Sequence, residues 1–284
     1  MNGIINVYKP SGMSSHDVIY KVRRALGIKR IGHTGTLDPM ACGVLPVCVG
    51  KATRAAELIV AADKEYTAKL AFGSETDTQD STGSVTNTTS ARTDREAFQK
   101  VLKEFEGETE QIPPMYSAVH HGGERLYKLA RRGVTVERKS RKITVFSIKL
   151  LSFSENEAEI SVRCSKGTYI RTLCEDIGRR AGCMAHMSAL ERTRSGMFTK
   201  ENSVPLSEVS PEKIIPADEL FSAYERYDLN CEEEKKVRNG ARIENMRGEE
   251  KRYRLYAVNG EFLCISEGIT ENGKKYLKSV KNFY

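Results

Sequence analysis

The sequence predicts an α+β fold in two parts, a larger one of mixed helices and strands and a small β-rich one. Three observations predict it. Segments with apolar residues at helical spacing and capping residues at their starts stand beside segments whose apolar residues alternate. Two strand-like segments, ITVFSIKLLSF and the strictly alternating EAEISVRC, follow one another with no helix between them. Beyond prolines at 205, 211 and 216, residues 225–284 hold short strand-like pieces around an Asn-Gly turn.

Residues 3–8, GIINVY, read as a strand and KPSGMSS as a turn. Ser14 with Asp17 is a capping-box pattern, and Val18, Ile19, Val22, Ala25 and Leu26 predict a helix that Gly27 stops. Its other face carries Lys21, Arg23 and Arg24, with Lys29 and Arg30 just beyond. KATRAAELIVAAD predicts a second helix, and EYTAKLAFG a strand with Tyr66, Ala68, Leu70 and Phe72 on one face. The polar residues 74–90 form a loop or hairpin. Thr93 and Glu96 are placed to cap a helix whose stripe of Ala97, Phe98, Val101, Leu102 and Phe105 belongs in a core.

A short helix then ends at Gly133, and from Arg131 to Lys142 the chain carries six cations and one acid. Charge for phosphates beside Tyr116, His120, His121 and Tyr127, whose rings can stack on bases, favours a nucleic-acid contact over a solvated face. After the two consecutive strands, SKGT leads into the helix YIRTLCEDIGRRAG, with Arg171 in its first turn. An arginine there opposes the helix dipole, a placement that a nearby anion would explain. Residues 204–224 read as a connection to the unit 225–284, in which RYRLYAV and EFLCIS flank the Asn-Gly turn.

With 284 residues, 39% of them hydrophobic, the chain can bury a proper core, and its net charge of +7 attracts polyanions, nucleic acid first among them. No apolar run approaches the roughly eighteen residues of a membrane span, and MNGIINVYKPSG lacks the pattern of a secretion signal, so a cytoplasmic protein is expected. Seven cysteines without a C-x-x-C pair argue against a disulfide framework and a structural zinc, and the five histidines form neither H-x-E nor H-E-x-x-H. Metal-free chemistry is the expectation.

The stretch GHTGTLDPMACGVLP, residues 32–46, sets His33, Thr34, Thr36 and Asp38 among residues suited to burial. By local pattern alone, Asp38 before Pro39 is a turn residue.

Together with GIINVYKPSGMSS, KEYTAKLAFGSETDTQDSTG, IPPMYSAVHHGGERLYKLAR and SKGTYIRTLCEDIG, that stretch resembles the bacterial tRNA pseudouridine synthase B (TruB) family, colinearly from about residue 3 to residue 196. The related dyskerin group works with guide RNAs and accessory proteins; the short form of this chain resembles the bacterial proteins. The resemblance implies a pseudouridine synthase fold: a mixed β-sheet with flanking helices, a deep cleft and an inserted basic thumb at about 118–142. It makes 1–224 the catalytic domain and 225–284 a PUA-like RNA-binding domain, the latter match being loose. It also implies isomerisation of the uridine conventionally numbered 55 in the T-arm of tRNA, by a monomer without cofactor, metal or protein partner.

The resemblance gives the residues roles. Asp38 is the catalytic carboxylate, acting by attack at C1′ or C6 or by promoting a glycal. Glycoside hydrolysis normally uses two acids and a water, so a lone Asp38 fits isomerisation better. Arg171 would pair with Asp38 and keep it ionised. Tyr66 would stack on the uracil, Tyr169 support the pocket, Leu190 form its apolar wall, and Lys9 support the turn beside it. Thr34, Gly35 and Pro39 would shape the loop. His33, Arg131, Arg132, Arg138, Lys139, Arg141 and Lys142 would contact RNA, with target bases splayed out before chemistry. The alternative is a tRNA-binding and remodelling chaperone that needs no chemistry; only the enzyme requires Asp38 together with Arg171.

Overall fold

The computed structural model describes residues 1–284. An eleven-stranded sheet organises the first part, running Val204–Pro205, Gly3–Lys9, Cys42–Val49, Ala185–Ser195, Lys64–Phe72, Glu157–Cys164, Arg141–Phe153, Gly107–Gln111. Ala185–Ser195 pairs parallel with Cys42–Val49 at Glu191 and Arg192 and antiparallel with Lys64–Phe72, so the sheet is mixed. Cys42–Val49 is covered on both faces, which is why VLPVCV is continuously apolar instead of alternating. By contrast, Lys64–Phe72 buries Tyr66, Ala68 and Leu70 on one face, as its alternation predicts.

One face of the sheet carries the helices Ser15–Leu26, Arg95–Glu104 and Ile170–Arg180, whose apolar stripes join its strands in a core of 32 buried residues. The capping box of Ser14 and Asp17 is formed and Gly27 ends the helix in the left-handed conformation, at φ +66°. Asp94, not Thr93, caps the helix 95–104: its carboxylate accepts from the Ala97 amide at 2.8 Å, reaching the same position three residues on that Thr93 would have used for Glu96. The segment expected as one helix over KATRAAELIVAAD is a 3₁₀ stretch, Gly50–Ala55, followed by a single short α-helix, Ala56–Val60. Its alanines are gripped by the second part of the chain, and that packing decides the local geometry.

Two boundaries differ from expectation. Arg141 and Lys142 are not in the insertion; they pair with Gln111 and Glu110 and begin a long strand of the main sheet. The supposed connection adds two edge strands to Gly3–Lys9, Val204–Pro205 in parallel and Ile215–Pro216 antiparallel. Long-range ladders fix both, and no local pattern announces them.

The C-terminal part is a five-stranded sheet in the order Glu225–Asp228, Arg252–Tyr256, Phe262–Glu271, Lys274–Asn282, Ile243–Glu244, with its own core of ten buried residues. The Asn-Gly turn is present, with Gly260 at φ +82° and the Asn259 side chain accepting from the Glu261 amide. Ala52, Ala55, Ala217, Phe221, Ile265 and Phe283 form an apolar joint between the two sheets. All seven cysteines are free thiols.

Candidate active site

Asp38 lies in the loop between the strands Ile31–His33 and Cys42–Val49, and the first turn of the chain holds that loop from outside. Ser15 Oγ donates to Leu37 O and accepts from the Leu37 amide, the Gly12 amide donates to Pro39 O, and Ser11 Oγ donates to Met40 O. Lys9 is fully buried, and its Nζ donates to the carbonyls of Pro10, Met13 and Pro39. Thr34, also fully buried, uses its amide and hydroxyl on Pro46 O. KPSGMSS and GHTGTLDP thus form one clamped unit. Asp38 does make a turn through its carbonyl, which accepts from the Ala41 amide, but its carboxylate is directed elsewhere.

That carboxylate meets Arg171. Nε of Arg171 is 2.9 Å from Asp38 Oδ2, and Nη2 is 3.5 Å from Oδ1. The helix-start arginine therefore has its anion, from 133 residues away in sequence. Arg171 is 5% exposed and also donates through Nη1 to Thr78 O and through Nη2 to Tyr116 O, at 3.0 and 2.9 Å. Asp80 Oδ2 lies 3.8 Å from its Nε. One guanidinium fork joins the aspartate loop, the loop after Lys64–Phe72 and the base of the basic insertion.

Asp80 and Thr78 do not stand out in the sequence, and Tyr116, expected to offer its ring to bases, meets Arg171 through its backbone carbonyl. Asp80 is buried, its Oδ1 accepting from Thr78 Oγ1, the Thr82 amide and Thr82 Oγ1. Between them Gln79 sits at φ +65°, a left-handed conformation that costs a non-glycine residue on the order of 1 kcal/mol. Its side chain is locked onto the helix 170–180, accepting from Thr172 Oγ1 and donating to Glu175. A strained, tethered loop of this kind marks functional sites more often than ordinary turns. The available signal was an aspartate flanked by small hydroxyl residues in DTQDSTG, which can satisfy a buried carboxylate without water.

Burial pushes the Asp38 carboxyl above its ordinary value of 3.8; Arg171 opposes this, the nearby Asp80 charge adds to it and Lys9 opposes it in turn. Arg171 thus favours the ionised form of Asp38, by its charge and by its hydrogen bond, against the larger effect of burial. Burial likewise lowers Lys9 to about 8. Tyr66 is 8% exposed and faces the core side of its strand; burial raises its phenol, and the Arg192 guanidinium beside it works the other way. Leu190 is buried two residues before Arg192 on the same strand, opposite Ala68. Tyr169 caps no amide with its side chain, but its backbone amide and carbonyl are both engaged by Gln111, fixing the start of the Arg171 helix.

His33 is half-buried; burial and the charge of Arg192 lower its pKa, so the ring is neutral at pH 7 and its Nδ1 is buried without a partner. The cations assigned to RNA divide into groups. Arg131 lies over the Tyr127 ring and Arg132 pairs with Glu124, both on the insertion. Arg138 turns inward and donates to Pro113 O, Lys139 is exposed, and Arg141 and Lys142 are exposed at the start of the sheet strand. No group of three or more His, Cys, Asp or Glu side chains is arranged to hold a metal ion, and no helix is long and apolar enough to cross a membrane.

A mixed sheet with flanking helices that holds the carboxylates of Asp38 and Asp80 against a buried arginine, followed by a β-rich domain, defines the pseudouridine synthase fold. The architecture superposes on a Cbf5-Nop10-Gar1 complex with a TM-score of 0.72 at 27% identity, covering 99% of this chain and 85% of that one. An H/ACA RNP bound to a substrate RNA shares the fold at a TM-score of 0.71. Family models narrow the class. Residues 23–170 match the N-terminal domain of the TruB family pseudouridylate synthases, and residues 171–229 match the tRNA pseudouridylate synthase B C-terminal domain. The chain belongs to the TruB family. Among its relatives, tRNA pseudouridine synthase B of Clostridium novyi is 42% identical over 93% of this chain and 95% of its own length. The Clostridium tetani protein of the same name is 46% identical over 87% of each. That of Syntrophomonas wolfei is 41% identical over 100% of this chain and 99% of its own.

Proposed function

We propose that this chain is a cytoplasmic, monomeric tRNA pseudouridine synthase that isomerises uridine 55 in the T-arm, with Asp38 as the essential carboxylate and with no need of cofactor, metal or protein partner. The observation that carries the reading is Asp38 held by the buried Arg171, with both residues in a family named for pseudouridylate synthesis. The reaction breaks the N1–C1′ bond, turns the uracil within the site and joins C5 to C1′, after which the C5 hydrogen leaves as a proton. Asp38, fixed by Arg171, is presented for the first step; Tyr66 and Leu190 offer the apolar surface on which a uracil turns. His33, half-buried beside the loop that carries Asp38, is the contact to a splayed RNA base. The domain 225–284 serves as a PUA-like RNA-binding appendage.

The test of substrate is an isolated T-arm stem-loop, unmodified, incubated with the protein and mapped for pseudouridine at single-nucleotide resolution. Conversion nearly as efficient as for whole tRNA, confined to the one uridine, is expected. An inert stem-loop, or binding without conversion, would return the chain to the class of RNA remodellers.

Because burial holds the Asp38 carboxyl above 3.8, and the carboxylate is the working form, activity falls with decreasing pH sooner than for an ordinary aspartate. The single-turnover rate plotted against pH is expected to show an acid limb whose midpoint lies above 3.8. A midpoint at or below that value would mean that Arg171 and Lys9 outweigh burial.

The insertion's cations differ in their expected roles. Changing Arg131 and Lys139 to Gln should lower the slope of log affinity against log salt by roughly 0.7 to 0.9 for each phosphate that is no longer neutralised. Arg138→Gln should disturb the insertion itself, because that side chain is spent on Pro113 O. An unchanged slope in the first variant would make these cations a solvated face.

A further inference from the structure

Arg192, on the central strand Ala185–Ser195, is 1% exposed and takes part in no salt bridge, whereas Arg171 has both Asp38 and Asp80. Carbonyls hold it instead: Nε donates to Val44 O at 2.7 Å and Nη2 to Gly35 O at 3.1 Å. In register it stands opposite Tyr66 on one side and Gly43 on the other. Those neighbours frame the site, since Gly35 opens the loop that carries Asp38, Gly43 and Val44 follow it, and Tyr66 faces it. The backbone approach is close enough to demand glycine at 43, where φ is +107° and a β-carbon would lie 2.3 Å from Arg192 O.

A buried guanidinium without a counter-ion is costly and uncommon. Here it adds to an existing excess, because the carboxylates Asp38 and Asp80 stand against Arg171, the buried Lys9 and Arg192 itself. The site is electrostatically incomplete until it receives negative charge. The reaction supplies one: when N1–C1′ breaks, the bonding pair stays on N1, and the base is an anion until C5 bonds C1′, after which C5 loses a proton and N1 gains one.

We propose that Arg192 is a positioning residue of this site, whose fork sets the Asp38 loop against Tyr66 and whose uncompensated charge favours the departing uracil anion. The inference rests on the synthase reading given above. A fixed cation in a dry site acts on charge that develops in the transition state and barely on the neutral ground state.

The test uses T-arm stem-loops carrying uridine or 5-fluorouridine at the reacting position, in single turnover with wild-type protein, Arg192→Gln and Arg192→Lys. Fluorine withdraws electrons and stabilises the base anion by itself. Arg192→Gln is expected to bind the stem-loop as wild type does, to unfold cooperatively and to turn over uridine about 100-fold more slowly. Its deficit in glycosidic cleavage should be much smaller on 5-fluorouridine, and Arg192→Lys, which keeps the charge, should show a ratio of the two rates close to wild type. An equal deficit on both substrates, a wild-type rate in Arg192→Gln, or a loss that tracks weakened binding would overturn the proposal. Should Arg192→Gln fail to fold, a Lys variant with an altered ratio of rates would overturn it too. Wild-type protein inert on the uridine stem-loop would instead overturn the synthase reading.

Discussion

Asp38→Asn is expected to leave a folded protein that binds tRNA and releases no tritium from uridine labelled at C5. Joining C1′ to C5 expels the hydrogen on C5, so the label reaches water only if isomerisation runs to completion. Asparagine keeps the size and turn-forming capacity of aspartate, and the turn itself is made by the Asp38 carbonyl, which any residue supplies. What disappears is the charge and the nucleophilic oxygen. The carboxyl is held above its ordinary value, so the folded chain binds this proton more tightly than the unfolded chain does. At pH 7 the ionised group therefore weighs against folding, while its loss leaves the buried Arg171 with Asp80 alone, so the thermal midpoint of Asp38→Asn should lie close to that of wild type. Asp38→Glu should also fail, because moving the carboxylate by about an ångström disturbs both the attack geometry and the bond to Arg171. Tritium release by Asp38→Asn at the wild-type rate would make Asp38 the plain turn residue that its local sequence suggests.

Arg171→Met is expected to damage stability and activity together. The substitution roughly keeps the volume of the side chain but leaves Asp38 and Asp80 without their shared cation, and the carbonyls of Thr78 and Tyr116 without a donor. Removing one partner of a buried ion pair costs about 3 to 5 kcal/mol. In a chain of this length that lowers the melting temperature by on the order of 10 °C. The acid limb of the rate profile should move to higher pH, since two carboxylates that lose a common cation hold their protons more firmly. Arg171→Lys should recover part of the stability and little of the rate, because an ammonium cannot span three chain segments as the fork does. A variant with wild-type melting and an unmoved acid limb would mean that the fork is incidental.

Much of the local structure was legible. The capping box at Ser14 and Asp17, the glycine stop at 27 and the alternation from Tyr66 to Leu70 depend on contacts within a turn or on a face of one strand, and such contacts are written in consecutive residues. The specific stretch GHTGTLDPMACGVLP marked the loop of the site, and the arginine at the start of a helix marked itself as out of place. Thr93 and Asp94 show the limit of this reading: adjacent residues both suit a cap, and the one that wins is set by where the helix axis must lie to bury Phe98 and Leu102.

The sequence by itself determined the class of most well-patterned elements and offered candidates for the chemistry. Only the tertiary structure decided which of them meet. Asp80 and Tyr116 join Arg171, Arg138 turns inward while Lys139 faces water, Arg141 and Lys142 enter the sheet, and Arg192 stands buried against Tyr66 without a counter-ion. Each of these depends on strands paired across many tens of residues, where register is chosen by the burial of whole faces and leaves no trace in the local pattern of charges.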